Sequence, residues 1–405
     1  MPKTITLISL NFYPESTAIG LYSTQMALFL KQQGFKVNVV TAFPYYPQWE
    51  IARAYKNRPN YIVEDFKGMK LYRYKQFTPK QPSFLKRVLH ILDFTKGTYF
   101  NLRKVERPDI VISVIPFTAS AFLGNRHAKK HRAKHWVHIQ DFEFDAAFQS
   151  GLLHSKKNKQ GTLQKQLMGL ERRTLNRAHR VSTISHLMLK KLKSKTTTPT
   201  CFLPNWIDGE QIDPATAARH PFLKSEKFKI LYSGNIGDKQ NWQLFKKIAA
   251  KLPAATFQFV IVGDGAKRSG VETAVAAIPN ASYHPPVALS ALSSLLCSAD
   301  AHFLFQKMDV LDTVMPSKIL GMMASGKPSV ITGHPASEVR TTVRAANAGF
   351  YICSEDVGEI AQAFQKLRDD KAKTAAMGTQ ARRYVLSNFS KEEILSQFAE
   401  QLHQL

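Results

Sequence analysis

Two periodicities alternate along the chain. Short apolar runs at 4–10, 36–41, 69–74, 109–114, 135–139 and 180–184 read as strands. Between them, apolar positions recur at helical spacing over 19–33, 84–105, 117–131 and 163–178. That rhythm is βαβ, and it predicts a parallel sheet covered on both faces. It breaks at Pro199, Pro204 and the segment PNWIDGEQIDP, which read as turn and linker. It then restarts, with strands at 228–233, 257–262, 299–305 and 328–332 and helices at 240–252, 268–277, 317–324 and 355–367. The expectation is an α/β protein of two domains, 1–205 and 206–387. A last helical stretch, 391–402, follows Ser387-Asn388-Phe389-Ser390, and the segment 388–405 is expected to pack back on the first domain.

Composition narrows the class. A length of 405 residues suits two domains at roughly 100–200 residues each. With 44% hydrophobic and 21% charged residues, wholesale disorder is excluded. Cys201, Cys297 and Cys353 lie far apart with no CxxC pair, which excludes a disulfide framework, a zinc ribbon and a thioredoxin-type site. The amino-terminal stretch reads as a strand rather than a signal peptide. The longest apolar-rich stretch, 110–124, is interrupted by Ser113, Pro116, Thr118 and Ser120. It falls short of the roughly 18 residues that span a bilayer. A cytoplasmic protein without a transmembrane helix is therefore expected.

Charge changes the picture more. The net charge is +26, and it is unevenly spread. Residues 1–205 carry 34 basic and 11 acidic side chains, whereas residues 206–405 carry 22 and 19. Such a first half attracts a polyanion or an anionic membrane surface. Within it, Phe84–Leu92 gives an apolar stripe that Lys86, Arg87, Lys96, Arg103 and Lys104 border. A second cationic run spans 155–159. Membrane-surface docking explains both, and a core-facing stripe beside a solvated loop is the plainer alternative.

In parallel sheets, ligands bind beyond the carboxyl ends of strands. After the first strand comes Asn11-Phe12-Tyr13-Pro14-Glu15-Ser16-Thr17-Ala18-Ile19-Gly20, without a dinucleotide fingerprint. Gly234-Asn235-Ile236-Gly237-Asp238-Lys239 follows a later strand, and its lysine suits a phosphate. Gly263-Asp264-Gly265 is either a tight βα turn or a close approach of backbone to a flat ligand. Pro316-Ser317-Lys318 opens an apolar helix, where free N–H groups and the helix dipole favour an anion. Asp141, Glu143 and Asp145 end a strand, where one carboxylate could take a proton from an acceptor hydroxyl. A metal site there lacks a second ligand cluster, and no metal is expected.

These segments together resemble the glycosyltransferase family 4 of GT-B enzymes. NFYPESTAIGLYS, TAFPYYPQW, HIQDFEFDAAF, RVSTIS, LPNWID, LYSGNIGDKQ, IVGDG and QKMDVLDTVMPSKILGMMASGKPSVIT run in family order across nearly the whole chain. The resemblance implies two Rossmann-like domains facing a cleft. The second would bind a nucleotide-diphosphate sugar, and the first an acceptor. It implies that Gly20, Gly234, Asn235, Lys239, Gly263, Asp264, Gly265, Pro316, Ser317 and Lys318 serve the donor. Asp141 would sit beside the reacting sugar with Lys239 and Lys318 as the catalytic group. Tyr13, Glu15 and Glu143 are assigned to the acceptor.

The implied activity is retaining transfer to a lipid-linked, undecaprenyl-diphosphate saccharide in exopolysaccharide synthesis. The expected site of action is the inner face of the plasma membrane, with no cofactor and no nucleic-acid partner. Two departures stand out. Thr313 and Gly321 occupy the positions of two family glutamates, and Asn235 replaces the usual loop arginine. A GT-B-like sugar-nucleotide epimerase, a non-catalytic nucleotide-sugar binder and a polyanion-binding protein are the alternatives.

Overall fold

In a computed structural model, residues 2–16, 18–81, 83–116, 118–142, 160–310 and 317–405 are described. They form two compact units, Met1–Pro204 with Ile394–Leu405, and Asn205–Glu393.

The first unit is built on eight strands: β1 (Thr4–Ile8), β2 (Lys36–Ala42), β3 (Tyr61–Phe66), β4 (Met69–Tyr74), β5 (Ile110–Ile115), β6 (Lys134–Ile139), β7 (Arg180–Thr183) and β8 (Thr200–Phe202). Their order is β3-β4-β2-β1-β5-β6-β7-β8. All neighbours are parallel except β3, which runs antiparallel to β4. Central β5, IVISVI, is buried at every position because helices cover both of its faces. Edge β3, YIVEDF, is half-exposed and carries Glu64 and Asp65, the charges that protect an open edge.

Helices α1 (Ala18–Gln32), α2 (Phe84–Leu102), α3 (Thr118–His131), α4 (Gln160–Leu175) and α5 (His186–Lys195) connect these strands. Ser83 caps α2 by accepting from the Lys86 amide, and Ser185 caps α5 through Met188. Gly97 lets α2 lie against β4, since a methyl there would come within 2.0 Å of the Tyr74 ring.

The second unit holds β9 (Phe228–Ser233), β10 (Phe257–Val262), β11 (Ala281–His284), β12 (Ala301–Phe305), β13 (Ser329–Thr332) and β14 (Gly349–Ile352). They form one parallel sheet in the order β11-β10-β9-β12-β13-β14. Its helices are α6 (Trp242–Lys251), α7 (Arg268–Ala276), α8 (Leu292–Cys297), α9 (Ser317–Ala324), α10 (Glu338–Ala345), α11 (Val357–Asp369) and α12 (Lys371–Phe389). Phe245, Phe259, Phe303, Phe305 and Phe364 build an aromatic core of edge-to-face, tilted and stacked pairs around the central strands.

After Ser390, α13 (Lys391–His403) returns the chain to the first unit. There the Phe398 ring meets buried Trp136 at 4.9 Å, and Lys3 Nζ donates to the His403 carbonyl at 2.8 Å.

The sequence pattern missed β3, β8, β11 and β14 and helices α5, α8, α10 and α12. The four missed strands lie at sheet edges, and β8, β11 and β14 are short, so none presents a long apolar run. Among the described residues, no helix is long and apolar enough to cross a membrane.

Candidate active site

In each sheet the strand order reverses once, between β1 and β5 and between β9 and β12. Loops leaving the carboxyl ends of those strands diverge and leave room for a ligand. In the second unit three predicted segments meet at this point. A methyl on Gly234 would lie 3.1 Å from Lys318 Nζ, so the lysine of α9 reaches back across the reversal to the turn after β9.

That turn is held by backbone. Gly234 N–H donates to the Val262 carbonyl at 2.9 Å, Ile236 N–H to Asp264 at 2.8 Å, and Lys267 N–H to Ile236 at 3.0 Å. The Gly263 Cα lies so close that a methyl there would sit 1.9 Å from the Gly234 carbonyl oxygen. Gly265, at φ 155°, would place one 2.4 Å from the Ile236 oxygen. The two glycines therefore make room for the neighbouring turn. Asn235 and Asp264 are exposed.

Lys239 is exposed at the end of the same turn. Its carbonyl accepts from the Lys307 N–H at 2.9 Å, and Gln240 Oε1 accepts from the Gly237 N–H at 3.1 Å. The first tie fixes the loop to the segment just after β12, and the second closes the loop on itself. Ser317 and Lys318 open α9, which Ile319, Leu320, Met322 and Met323 anchor in the core. Pro316 and Thr313 lie outside the described residues. Gly321 faces Leu296 and Ile212, whose methyls would lie 3.3 and 3.6 Å from a methyl placed on its Cα. That position therefore looks into apolar packing.

Sequence reasoning passed over Tyr232, the strand residue two places before Gly234. It is 2% exposed. Its hydroxyl donates to the Asn235 carbonyl at 2.6 Å and accepts from Lys318 Nζ at 3.2 Å. The ammonium also stands 4.8 Å from the centre of its ring. Burial pushes its phenol far above the usual range, so it stays neutral. The signal available in sequence was only its place beside the glycine.

The first unit arranges the other candidates. Glu15 is buried, and its Oε1 accepts from the amides of Tyr45 and Tyr46 at 2.8 and 2.7 Å. Its Oε2 accepts from Asn11 Nδ2 at 2.9 Å. Burial raises its pKa, and these hydrogen bonds oppose the rise. The carboxylate thus ties the loop after β1 to the loop after β2. Gly20 lies in the first turn of α1, where a methyl would meet the Glu15 oxygen at 2.8 Å. Tyr13 is exposed and stacks on Phe66 at 4.1 Å. A cavity of about 410 Å³ beside this loop is lined by Glu15, Tyr45, Tyr46, Gln48 and Arg53, among others.

Asp141 is exposed just beyond β6. Beneath it, Gln140 Nε2 and His138 Nε2 lie 2.8 Å apart, and His138 Nδ1 pairs with Ser182 Oγ at 2.9 Å. Burial lowers His138 to about 3, so the ring is neutral. Glu143, Asp145 and the cationic run 155–159 lie outside the described residues. Asp141 belongs to the first unit and Lys239 and Lys318 to the second.

The stripe on α2 does not face the core. The helix buries His90, Phe94, Gly97, Thr98 and Asn101, while Leu85, Leu89 and Leu92 are 72, 55 and 60% exposed. The core-facing expectation for this stripe is therefore corrected: Tyr74 and its neighbours accept the opposite face. Lys86, Arg87 and Lys96 on this helix and Arg103 and Lys104 just after it are exposed, with Arg87 over the Trp49 ring and Lys104 over the Tyr61 ring. Among the described residues, no group of three or more His, Cys, Asp or Glu side chains is placed to hold a metal ion.

Two parallel α/β Rossmann-like units with phosphate-suited turns at the strand ends define the GT-B class of glycosyltransferases. Solved structures share this fold. Sucrose-phosphate synthase from Thermosynechococcus elongatus matches with a TM-score of 0.76 and 15% identity, over 99% of this chain and 98% of that one. Anabaena HepE in complex with UDP-glucose matches with a TM-score of 0.68 and 13% identity over the full length of both. WaaG, a glycosyltransferase involved in lipopolysaccharide biosynthesis, matches with a TM-score of 0.66 and 13% identity, over 98% of this chain and 99% of that one.

Residues 17–206 match the glycosyl transferase 4-like domain, and residues 227–370 match glycosyl transferases group 1. The chain is 32% identical over 406 aligned positions, 97% of its length and 98% of the relative's, to the "Putative colanic acid biosynthesis glycosyl transferase WcaI" of Escherichia coli (strain K12). The chain belongs to this family of glycosyltransferases.

Proposed function

We propose that the enzyme transfers a sugar, with retention of anomeric configuration, from a nucleotide-diphosphate sugar to a lipid-linked saccharide during exopolysaccharide synthesis. The observation that carries this reading is the meeting of Lys318 with the Gly234 turn at the strand-order reversal of the second unit. The UDP-glucose complex of HepE and the colanic acid relative support the donor class and the polysaccharide context.

In this reading the anomeric carbon gains oxocarbenium character as the nucleoside diphosphate leaves. The departing negative charge is met by Lys239, by Lys318 and by the amides that open α9. Asp141 orients the acceptor hydroxyl or stabilises the sugar cation. Tyr13 and the loop that Glu15 holds receive the acceptor. The leaving charge is neutralised by lysines, and no metal ion is assigned a step.

A second observation supports the lipid. Three exposed leucines on a helix that also bears the exposed cations Lys86 and Lys96 match an anionic bilayer, because apolar side chains enter the acyl boundary while lysines stay among the headgroups. The enzyme on this reading works peripherally at the inner face of the plasma membrane.

The test offers UDP-, GDP-, ADP- and dTDP-sugars with a lipid-linked saccharide fraction and follows nucleoside diphosphate release. Release that depends on the lipid fraction, with an unchanged anomeric configuration in the product, is expected. A donor altered without nucleotide release would assign an epimerase instead.

A further inference from the structure

We infer that Tyr232 is a positioning residue for the diphosphate site, holding the Lys318 ammonium against the Gly234–Asn235 backbone. The inference rests on the donor reading above and deepens it. A lysine side chain in solution samples many rotamers, and fixing one costs conformational freedom. Here the ammonium is held by two contacts of one side chain. It stands 4.8 Å from the Tyr232 ring centre and donates to the hydroxyl of the same residue at 3.2 Å.

The hydroxyl can do this because its own proton is committed. It donates to the Asn235 carbonyl at 2.6 Å, leaving its lone pairs for Lys318. Burial keeps the phenol neutral, so no tyrosinate competes with a phosphate for the ammonium.

The ring itself is locked. It packs against Trp242 at 5.3 Å and Phe305 at 5.0 Å, residues that open α6 and close β12. One side chain therefore joins β9, the turn after it, β12 and the cation from α9. The cation arrives where the chain carries Asn235 in the loop. The loop residue contributes its carbonyl as an anchor, and the positive charge comes from a helix on the other side of the strand-order reversal.

The experiment compares nucleoside diphosphate with nucleoside monophosphate binding by titration calorimetry, using whichever of UDP, GDP, ADP and dTDP binds the full chain and its matching monophosphate. Tyr232→Phe keeps the ring and removes the hydroxyl. It is expected to weaken diphosphate binding about tenfold, the scale of one hydrogen bond to a charged group. Monophosphate binding should change less than about twofold. Lys318→Met, which keeps the chain length and removes the charge, should also weaken diphosphate binding.

The double variant Tyr232→Phe/Lys318→Met should bind the diphosphate no more weakly than Lys318→Met alone, because the hydroxyl acts through the ammonium. Additive losses, or an equal loss of diphosphate and monophosphate in Tyr232→Phe, would overturn the inference while leaving the donor reading in place. Failure of the unaltered chain to bind any of the four diphosphates would overturn both.

Discussion

The two units share a scaffold and differ in where they place charge and apolar surface. Each has a parallel sheet whose strand order reverses once, and each sends its functional candidates from loops at the strand ends. The second unit keeps its turns close, lacing Gly234–Ile236 to Val262–Asp264 through backbone hydrogen bonds. The first unit is strongly basic and leaves three leucines of α2 in the open. The common sheet therefore decides only where a ligand can sit. The turns and outer helices decide which ligand it is.

Acidification should separate the units most. Burial lowers His135 and His138 of the first unit and His302 of the second to about 3. Below the unfolded value of 6.5, the unfolded chain binds protons that these folded rings refuse. Their stabilising effect is full above pH 6.5 and is lost as pH falls toward 3. Each ring contributes a slope of about 1.4 kcal/mol per pH unit. The first unit also holds His127, which burial lowers to about 4, so it should lose stability more steeply than the second, as hydrogen exchange resolved by segment would measure. Equal slopes would break the comparison.

Removing a lysine should be nearly as severe for catalysis. Lys318→Ala or Lys239→Ala should lower turnover about 100-fold or more, the usual cost of losing a donor to developing charge. Binding to vesicles should be untouched, and a parallel loss of both would merge the two roles.

The converse variant, Leu85→Ser/Leu89→Ser/Leu92→Ser, should weaken co-sedimentation with anionic vesicles by more than about tenfold, since each buried leucine is worth about 1.5–3 kcal/mol. Nucleotide affinity in solution should not change. Raising salt should weaken binding to the same vesicles, as screening shortens from about 10 Å at 0.1 M to about 3 Å at 1 M. Equal affinity for neutral vesicles would reject the electrostatic part. The smallest effect expected is that of EDTA, which should leave turnover unchanged.

Much of the fold was legible because its central strands are long apolar runs. FQFVIV and FKILYS announce themselves, whereas ASYH and GFYI, each half-buried at a sheet margin, do not. The glycine turn and Lys318 were visible as motifs, but their meeting was not, since Lys318 lies 84 positions beyond Gly234 in the chain. Tyr232 was illegible because a buried tyrosine in an apolar strand looks like core until its hydroxyl partners are known. The direction of α2 was illegible for a related reason. The helix carries apolar residues on two faces, and periodicity alone does not say which one Tyr74 accepts.

The return of the chain at α13 has a consequence for synthesis. Trp136 and Phe398 are both fully buried against each other, and the ring from α13 is made only after the whole second unit has been translated. The unit begun first is thus completed last, and a nascent chain must hold an unfinished wall beside Trp136 until residue 398 clears the ribosome. A fragment ending at residue 204 would carry that gap permanently and should aggregate where the full chain does not.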